Sequence, residues 1–160
     1  MFKIKSLILL LISINLINCS YKINNTNKFS IGYIGGSYEG ILFRNILEAN
    51  LRGFNIFNEN ANLIISGNAN HFSSEFITKV DNTSKRERIY SDISINIFNK
   101  ELDCTVYNFS AGQNQFYIYA SGAYFLSNKK AKEDIIYKNT ESLVKEFLNS
   151  IPKNFNICEE

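Results

Sequence analysis

From Tyr38 to Arg52 the apolar residues fall at Leu42, Phe43, Ile46, Leu47 and Leu51, the three-and-four spacing that lines one face of a helix. Ser37 is placed to cap its start, and Gly53 to close its end in a left-handed conformation. A second helix is predicted to begin between Ala120 and Ser127 and run to Ile151. Ile136, Thr140, Leu143, Phe147 and Ile151 recur at steps of four and three, Ile135, Val144 and Leu148 widen the stripe, and Pro152 stops it. Elsewhere the period is two. Phe29 to Ile34 alternates weakly and ends at Gly35-Gly36, which suits a first strand and a turn. A long strand is expected from Ala61 to about Val80, through Leu63-Ile64-Ile65, with Gly67, Ala69 and His71 on one side and Phe72 and Phe76 further on. The clearest alternation runs from Arg86 to Phe98. Ile89, Ile93, Ile95 and Ile97 share one face, while Arg86, Arg88, Asp92, Ser94 and Asn96 share the other. Asp81-Asn82-Thr83-Ser84 between these two has the composition of a hairpin turn. A fourth strand is expected from Leu102 to Phe109, alternating Leu102, Cys104 and Val106 with Asp103, Thr105 and Tyr107, followed by a loop from Ser110 to Asn114.

Strand, helix, three antiparallel strands and helix, with both helices apolar on one side only, predict an α+β fold. It is a two-layer sandwich, with two helices packed on one face of a roughly four-stranded mixed, mainly antiparallel sheet. The other face of the sheet is left open for a partner. The 160 residues hold one domain, expected at residues 29–152, with a flexible tail at 153–160.

The N-terminus changes the picture. Lys3 and Lys5 precede an apolar run from Leu7 to Ile17, too short for a permanent membrane-spanning helix, which takes about 20 residues. Cys19 follows directly, with Leu16 three residues ahead of it. This is the layout of a bacterial lipoprotein signal at residues 1–18. The Cys19 thiol would take a diacylglyceryl group and the mature chain would begin there. Asn18 departs from the small residue usual before the cysteine. An ordinary secretory signal or an uncleaved anchor would also put the domain outside the cytoplasm. Residues 19–28, rich in asparagine, read as a tether. With Lys3 and Lys5 gone, fifteen basic residues face fifteen acidic ones, so no net field draws the domain to nucleic acid. Cys104 and Cys158 would either pair in an oxidising compartment or stay as a buried thiol and a thiol in the tail; the sequence leaves both open.

Candidate chemistry is sparse. His71 is the only histidine, and neither a G-x-S-x-G elbow nor an H-E-x-x-H pair accompanies it, so a structural role is expected, with no catalysis, metal or cofactor. Lys85, Arg86 and Arg88 follow the exposed turn, and the two arginines share a face on which guanidinium groups would hold phosphates. The competing reading is a solvated edge, with Glu87 and Asp92 nearby. Lys129, Lys130 and Lys132 form a second cluster at the start of the second helix. Cations there oppose the helix dipole, and Glu133 and Asp134 compensate. Phe116-Tyr117-Ile118-Tyr119 with Tyr124-Phe125 is either an exposed contact or core under that helix, and core is expected for at least half of it.

In the order and spacing of its pieces the chain resembles the lipopolysaccharide (LPS)-assembly lipoprotein family LptE, in its alphaproteobacterial form. The matching stretches are Cys19-Ser20-Tyr21, Phe43-Arg44-Asn45-Ile46-Leu47, residues 83–97 from Thr83 to Ile97, Tyr117-Ile118-Tyr119-Ala120 and Ala131-Lys132-Glu133. The resemblance covers roughly Cys19 to Pro152. It implies a non-enzymatic lipoprotein anchored through Cys19 in the inner leaflet of the outer membrane. Its implied partners are the LPS-inserting barrel LptD, which it plugs and helps assemble, and LPS itself, for which Lys85, Arg86, Arg88, Lys129 and Lys130 are the candidate contacts. An interaction lipoprotein of another envelope machine, or an anchored periplasmic hydrolase, are the other classes considered. A lumen plug should present a largely polar sheet face to a wet barrel interior.

Overall fold

The structure, a computed structural model, describes residues 27–77, 85–118, 125–155 and 158. Cys19 and the turn at 81–84 therefore lie outside the described residues. Strand β1 is Phe29–Gly35, helix α1 is Tyr38–Gly53, and β2 is Leu63–Ile77. Strand β3 is Lys85–Asn99, β4 is Cys104–Ile118, and helix α2 is Phe125–Ser150. The sheet order is β1-β2-β3-β4, with β1 parallel to β2 and the rest antiparallel. This is the expected α+β sandwich of two helices on a four-stranded mixed sheet.

The alternation in β3 fixes which face is which. Ile89, Ile93, Ile95 and Ile97 are buried against the helices, while Arg86, Arg88, Ser94 and Asn96 point the other way. Each isoleucine burial contributes about 1.5–3 kcal/mol, so a register slip of one residue would expose the whole set. Phe29, Ile65, Phe43, Leu47, Leu51, Leu143, Val144 and Phe147 complete an apolar core between sheet, α1 and α2.

Two boundaries differ from the sequence reading. Strand β4 does not end at Phe109; Ser110 to Asn114 continue the ladder, with Ser94 opposite Ser110 and Tyr90 opposite Asn114. The cause is a bulge: Ile97 pairs with Tyr107 but Phe98 pairs with Thr105, leaving Val106 as an extra residue. Alternation changes phase there, so Cys104 and Val106 belong to the helix-facing set before the bulge, and Tyr107, Phe109 and Ala111 after it. A reading with one fixed phase loses the strand at that point. The end of α1 is likewise set elsewhere. Asn55 (φ 56°), not Gly53, takes the left-handed position, and Ile56 N–H donates to Leu51 O and Asn55 N–H to Arg52 O, each at 2.9 Å. Those two bonds, with Ile56 and Leu51 both buried, make a Schellman closure. Ser37 makes no side-chain cap bond. In the preceding turn Gly36 has φ 97°, and a Cβ there would stand 2.1 Å from the carbonyl oxygen of Ala69, so glycine lets α1 start hard against β2.

Of the described residues beyond Pro152, Phe155 and Cys158 are tied to the domain. Phe155 is buried and meets Phe29 edge-on at 5.8 Å, and Cys158 is disulfide-bonded to Cys104 with Cα atoms 5.8 Å apart. Of the two alternatives for these cysteines, pairing is the one observed.

Candidate functional site

The open face of the sheet is built from the residues that β2, β3 and β4 turn away from the helices. Cross-strand pairing sets Ser66, Asn96 and Asn108 in one row and Asn68, Ser94 and Ser110 in the next; Asn70, Asp92 and Gly112 form a third. Such rows occupy one face because paired residues project to the same side. Around Asn68, Ser94 and Asn108 the surface dips into a shallow hollow of about 340 Å³. Asn70 Nδ2 donates to Asp92 Oδ2 at 3.2 Å and Asn68 Nδ2 to Asn70 Oδ1 at 3.1 Å, so the amides are held in a chain.

Towards the far end of β3 the same face becomes aromatic and basic. Phe72 pairs with Tyr90, their rings stacked at 6.5 Å and 21°, and Phe116 lies beside Arg88. Phe72 and Phe116 are 59% and 56% exposed. Tyr90 leans over Gly112, where a Cβ would stand 2.5 Å from its hydroxyl oxygen. Arg88 Nε donates to Asn114 Oδ1 at 2.8 Å, and Arg86 is exposed on the same side. The guanidinium pair thus shares a face as expected, beside an aromatic platform. The side chain of Lys85 lies outside the described residues.

Lys129 and Lys130 do not join this surface. They are exposed on α2, which packs on the opposite face of the sheet, and Lys129 lies 3.9 Å from Glu133 in a solvent-facing pair. The structure thus divides the two basic clusters between two faces. Glu87 is not beside the arginines either. It falls on the isoleucine side of β3, buried, where Lys132 Nζ approaches Glu87 Oε1 at 2.9 Å and Ser73 Oγ at 2.7 Å, and Tyr117 donates its hydroxyl to the second carboxylate oxygen. Burial raises the Glu87 pKa, but the bonds from Tyr117, Lys132 and Ser73 outweigh it and leave the carboxyl below its ordinary value. Lys132 is thus a structural cation whose partner comes from another element. The signal was present in the sequence: Glu87 has the parity of the isoleucines. Of the aromatic stretch before α2, Phe116 faces outward and Tyr117 is half-buried.

His71 sits under α2. Its Nδ1 is 2.6 Å from Ser91 Oγ and its Nε2 is 3.3 Å from Thr140 Oγ1, while Asn139 Nδ2 donates to Ser91 Oγ at 2.9 Å. Thr140 Oγ1 already donates to Ile136 O at 2.8 Å, so the consistent arrangement is a neutral imidazole donating from Nε2 and accepting from Ser91 at Nδ1. Burial pulls its pKa below the ordinary value against the raising effect of Glu39 and Asp92. The serine–histidine pair has the spacing of a nucleophile and base, but Ser91 is 0% exposed beneath Asn139 and Thr140 and no substrate atom can reach it. Among the described residues no three His, Cys, Asp or Glu side chains group to hold a metal, and no helix is long and apolar enough to cross a membrane.

No protein-family model and no curated protein matches the chain by sequence. Its fold does find matches. The crystal structure of rare lipoprotein B from Shewanella oneidensis aligns with a TM-score of 0.63 at 12% identity, over 78% of this chain and 92% of that one. The chain has a rare lipoprotein B-like, LptE-like fold. A minor lipoprotein from Acinetobacter baumannii aligns on the same LptE-like sandwich at TM-score 0.58 and 9% identity, over 78% and 90% of the two chains. A Helicobacter pylori structure described as a neuraminyllactose-binding hemagglutinin homologue also carries it, at TM-score 0.55 and 11% identity over 84% and 90%.

Proposed function

We propose that this chain is a non-enzymatic lipoprotein acylated at Cys19, held on the periplasmic side of the outer membrane. There it plugs the LPS-inserting β-barrel LptD, assists its assembly and takes part in LPS transport. The observation that carries this reading is the open sheet face of an LptE-like sandwich, polar through three successive rows of asparagine, serine and aspartate. A barrel lumen is a wet, polar wall, and a face of fixed amides and hydroxyls can exchange hydrogen bonds with it, where an apolar face would demand a dry partner. Arg86 and Arg88, with Phe72, Tyr90 and Phe116 beside them, supply charge and apolar surface for a phosphorylated amphiphile such as LPS at the end of that face.

A photo-crosslinking residue at Asn96, in the native envelope, tests the partner. The expected product joins this chain to a large outer-membrane barrel. A product with a different envelope protein would replace the plug by an interaction lipoprotein of another machine. Cys19→Ser tests the anchor. The variant is expected to be lost from the outer-membrane fraction, because several acyl chains at about 0.8 kcal/mol per buried methylene are what hold the domain there. Unchanged fractionation would refute the lipoprotein reading.

A further inference from the structure

The pole of the domain where the tether enters carries a hollow of about 460 Å³ that the plug reading does not use. Its lining includes Lys28, Lys153 and six asparagines, among them Asn58, Asn60 and Asn62. Glu101 is the acid in that lining, and Asn62 Nδ2 donates to its Oε1. Lys100 stands between the lining residues Asn99 and Glu101, with its backbone N–H on Asn62 O at 2.9 Å. Among the described residues none of Lys28, Lys100 and Lys153 forms an ion pair, whereas Lys129, Lys132, Lys145 and Arg52 each have a carboxylate within 4.0 Å.

The backbone that carries these lysines is held in place. Lys28 Nζ donates to Asn55 O at the end of α1, and Asn27 Nδ2 donates to Lys153 O at 3.0 Å, joining the tether to the C-terminal segment. That segment is pinned in turn by buried Phe155, whose carbonyl accepts from Asn99 Nδ2 at 3.4 Å, and by the Cys104–Cys158 disulfide. Two lysines therefore border a polar hollow whose one lining carboxylate, Glu101, accepts from Asn62. That donor set suits a phosphate monoanion.

The chain itself says which phosphate is at hand. Asn27 lines the hollow and Cys19 stands eight residues before it, a span of at most about 29 Å when fully extended. We infer that this pole is a lipid-facing surface, and that the hollow lined by Lys28 and Lys153, with Lys100 on the chain between two of its lining residues, takes the phosphodiester headgroup of an anionic phospholipid in the leaflet that holds the acylated Cys19. The inference rests on the acylation of Cys19. The headgroup contact would orient the sandwich, leaving the Arg86 end of the sheet pointing away from that leaflet.

Amine footprinting by mass spectrometry tests it on the acylated full chain, purified from membranes and reconstituted into vesicles. In vesicles with about one-third phosphatidylglycerol, Lys28, Lys100 and Lys153 are expected to label at least about threefold more slowly than in detergent, while Lys138 and Lys145 on α2 keep their rates. About 0.5 M salt should restore labelling, because exposed charges are then screened within a few ångströms. The double variant Lys28→Glu with Lys153→Glu should lose protection at Lys100. Equal protection in pure phosphatidylcholine would mean tether proximity alone and would overturn the inference. So would unprotected lysines on a chain whose N-terminal peptide carries acyl mass, and in that case the lipoprotein reading would stand. An N-terminal peptide without acyl mass would sink both.

Discussion

The two halves of the sandwich are closed in different ways. Near the start of β2 the sheet is covered by both helices, and Phe29, Ile65, Ile97, Leu47, Leu143 and Phe147 meet without a polar atom among their side chains. Further along, β1 has ended after seven residues while β2, β3 and β4 run to fifteen, and the contacts under the sheet come from α2. There the interface is His71, Ser91, Asn139, Thr140, Glu87, Lys132 and Tyr117 around buried Ile89. The first half gains stability from apolar burial. In the second, each hydrogen bond adds only about 1 kcal/mol net, and the network chiefly fixes where α2 lies, since any shift would leave buried donors unpaired. Hydrogen exchange under native conditions should therefore be slowest in the apolar half and faster beneath the start of α2.

Truncation separates the halves most strongly. Phe147→Ala removes a 0%-exposed ring that packs on Phe109 at 5.5 Å, and an unfolding free energy lower by about 3–5 kcal/mol is expected in urea melts. If Ile89→Ala in the polar half cost as much, the contrast would fail. Next in size is Lys132→Met. It leaves the Glu87 carboxylate with Tyr117 and Ser73 but without a countercharge, and a loss of about 1–3 kcal/mol is expected at neutral pH. The gap from wild type should shrink in acid, where Glu87 is protonated. Lys130→Ala, on an exposed side chain, should change stability by less than about 0.5 kcal/mol.

The polar half should also respond to pH. His71 is held below its ordinary value of about 6.5, so as pH falls the unfolded chain takes up this proton before the folded one does. The stability it contributes is complete above about pH 6.5 and is lost as pH falls from there through the folded pKa. Glu87, also lowered, contributes above its ordinary value of about 4.5 and is lost in a separate, more acid step. Melting temperatures followed from about pH 8 to pH 5 should thus decline in wild type and decline less in His71→Gln. At pH 8 His71→Ala, which leaves the buried Ser91 hydroxyl without this acceptor, should cost a modest amount, about 1–3 kcal/mol, and leave barrel assembly intact. A hydrolytic activity abolished by this change would contradict the non-enzymatic reading.

The period of the isoleucines in β3 and of the apolar stripe in α2 made the sandwich and the Arg86–Arg88 face legible from the sequence, because both elements bury one side only. What escaped depends on pairing between distant residues. Val106 shifts the phase of β4, and nothing local marks a bulge in Thr105-Val106-Tyr107. Asn55 rather than Gly53 closes α1 because Ile56 has a buried place to go. The aromatic platform needed the β2–β3 register to bring Phe72 onto Tyr90. The tie from Lys132 to Glu87 spans 45 positions and was hinted at only by an acid among isoleucines.

A small effect on stability, and the sharpest on recognition, belongs to Arg86→Glu with Arg88→Glu. Both side chains are exposed on the open face, the buried side of β3 is untouched, and the bond lost within the fold is the exposed one from Arg88 to Asn114. The melting temperature should therefore move little. Two positive charges become two negative ones beside Phe72 and Phe116, so a phosphorylated amphiphile seated on that platform would meet repulsion where it had charge-assisted bonds. LPS binding should fall strongly, and added salt should weaken wild-type binding in the same direction. If the pair only lines the barrel, the variant would bind LPS normally and co-purify poorly with its partner. Phe116→Ala separates these outcomes further: it removes apolar platform without touching charge, and should weaken LPS binding with no change in its salt dependence. Should LPS binding and barrel association both survive the double reversal, the pair is a solvated edge and the contrast that matters in this molecule lies wholly beneath the sheet.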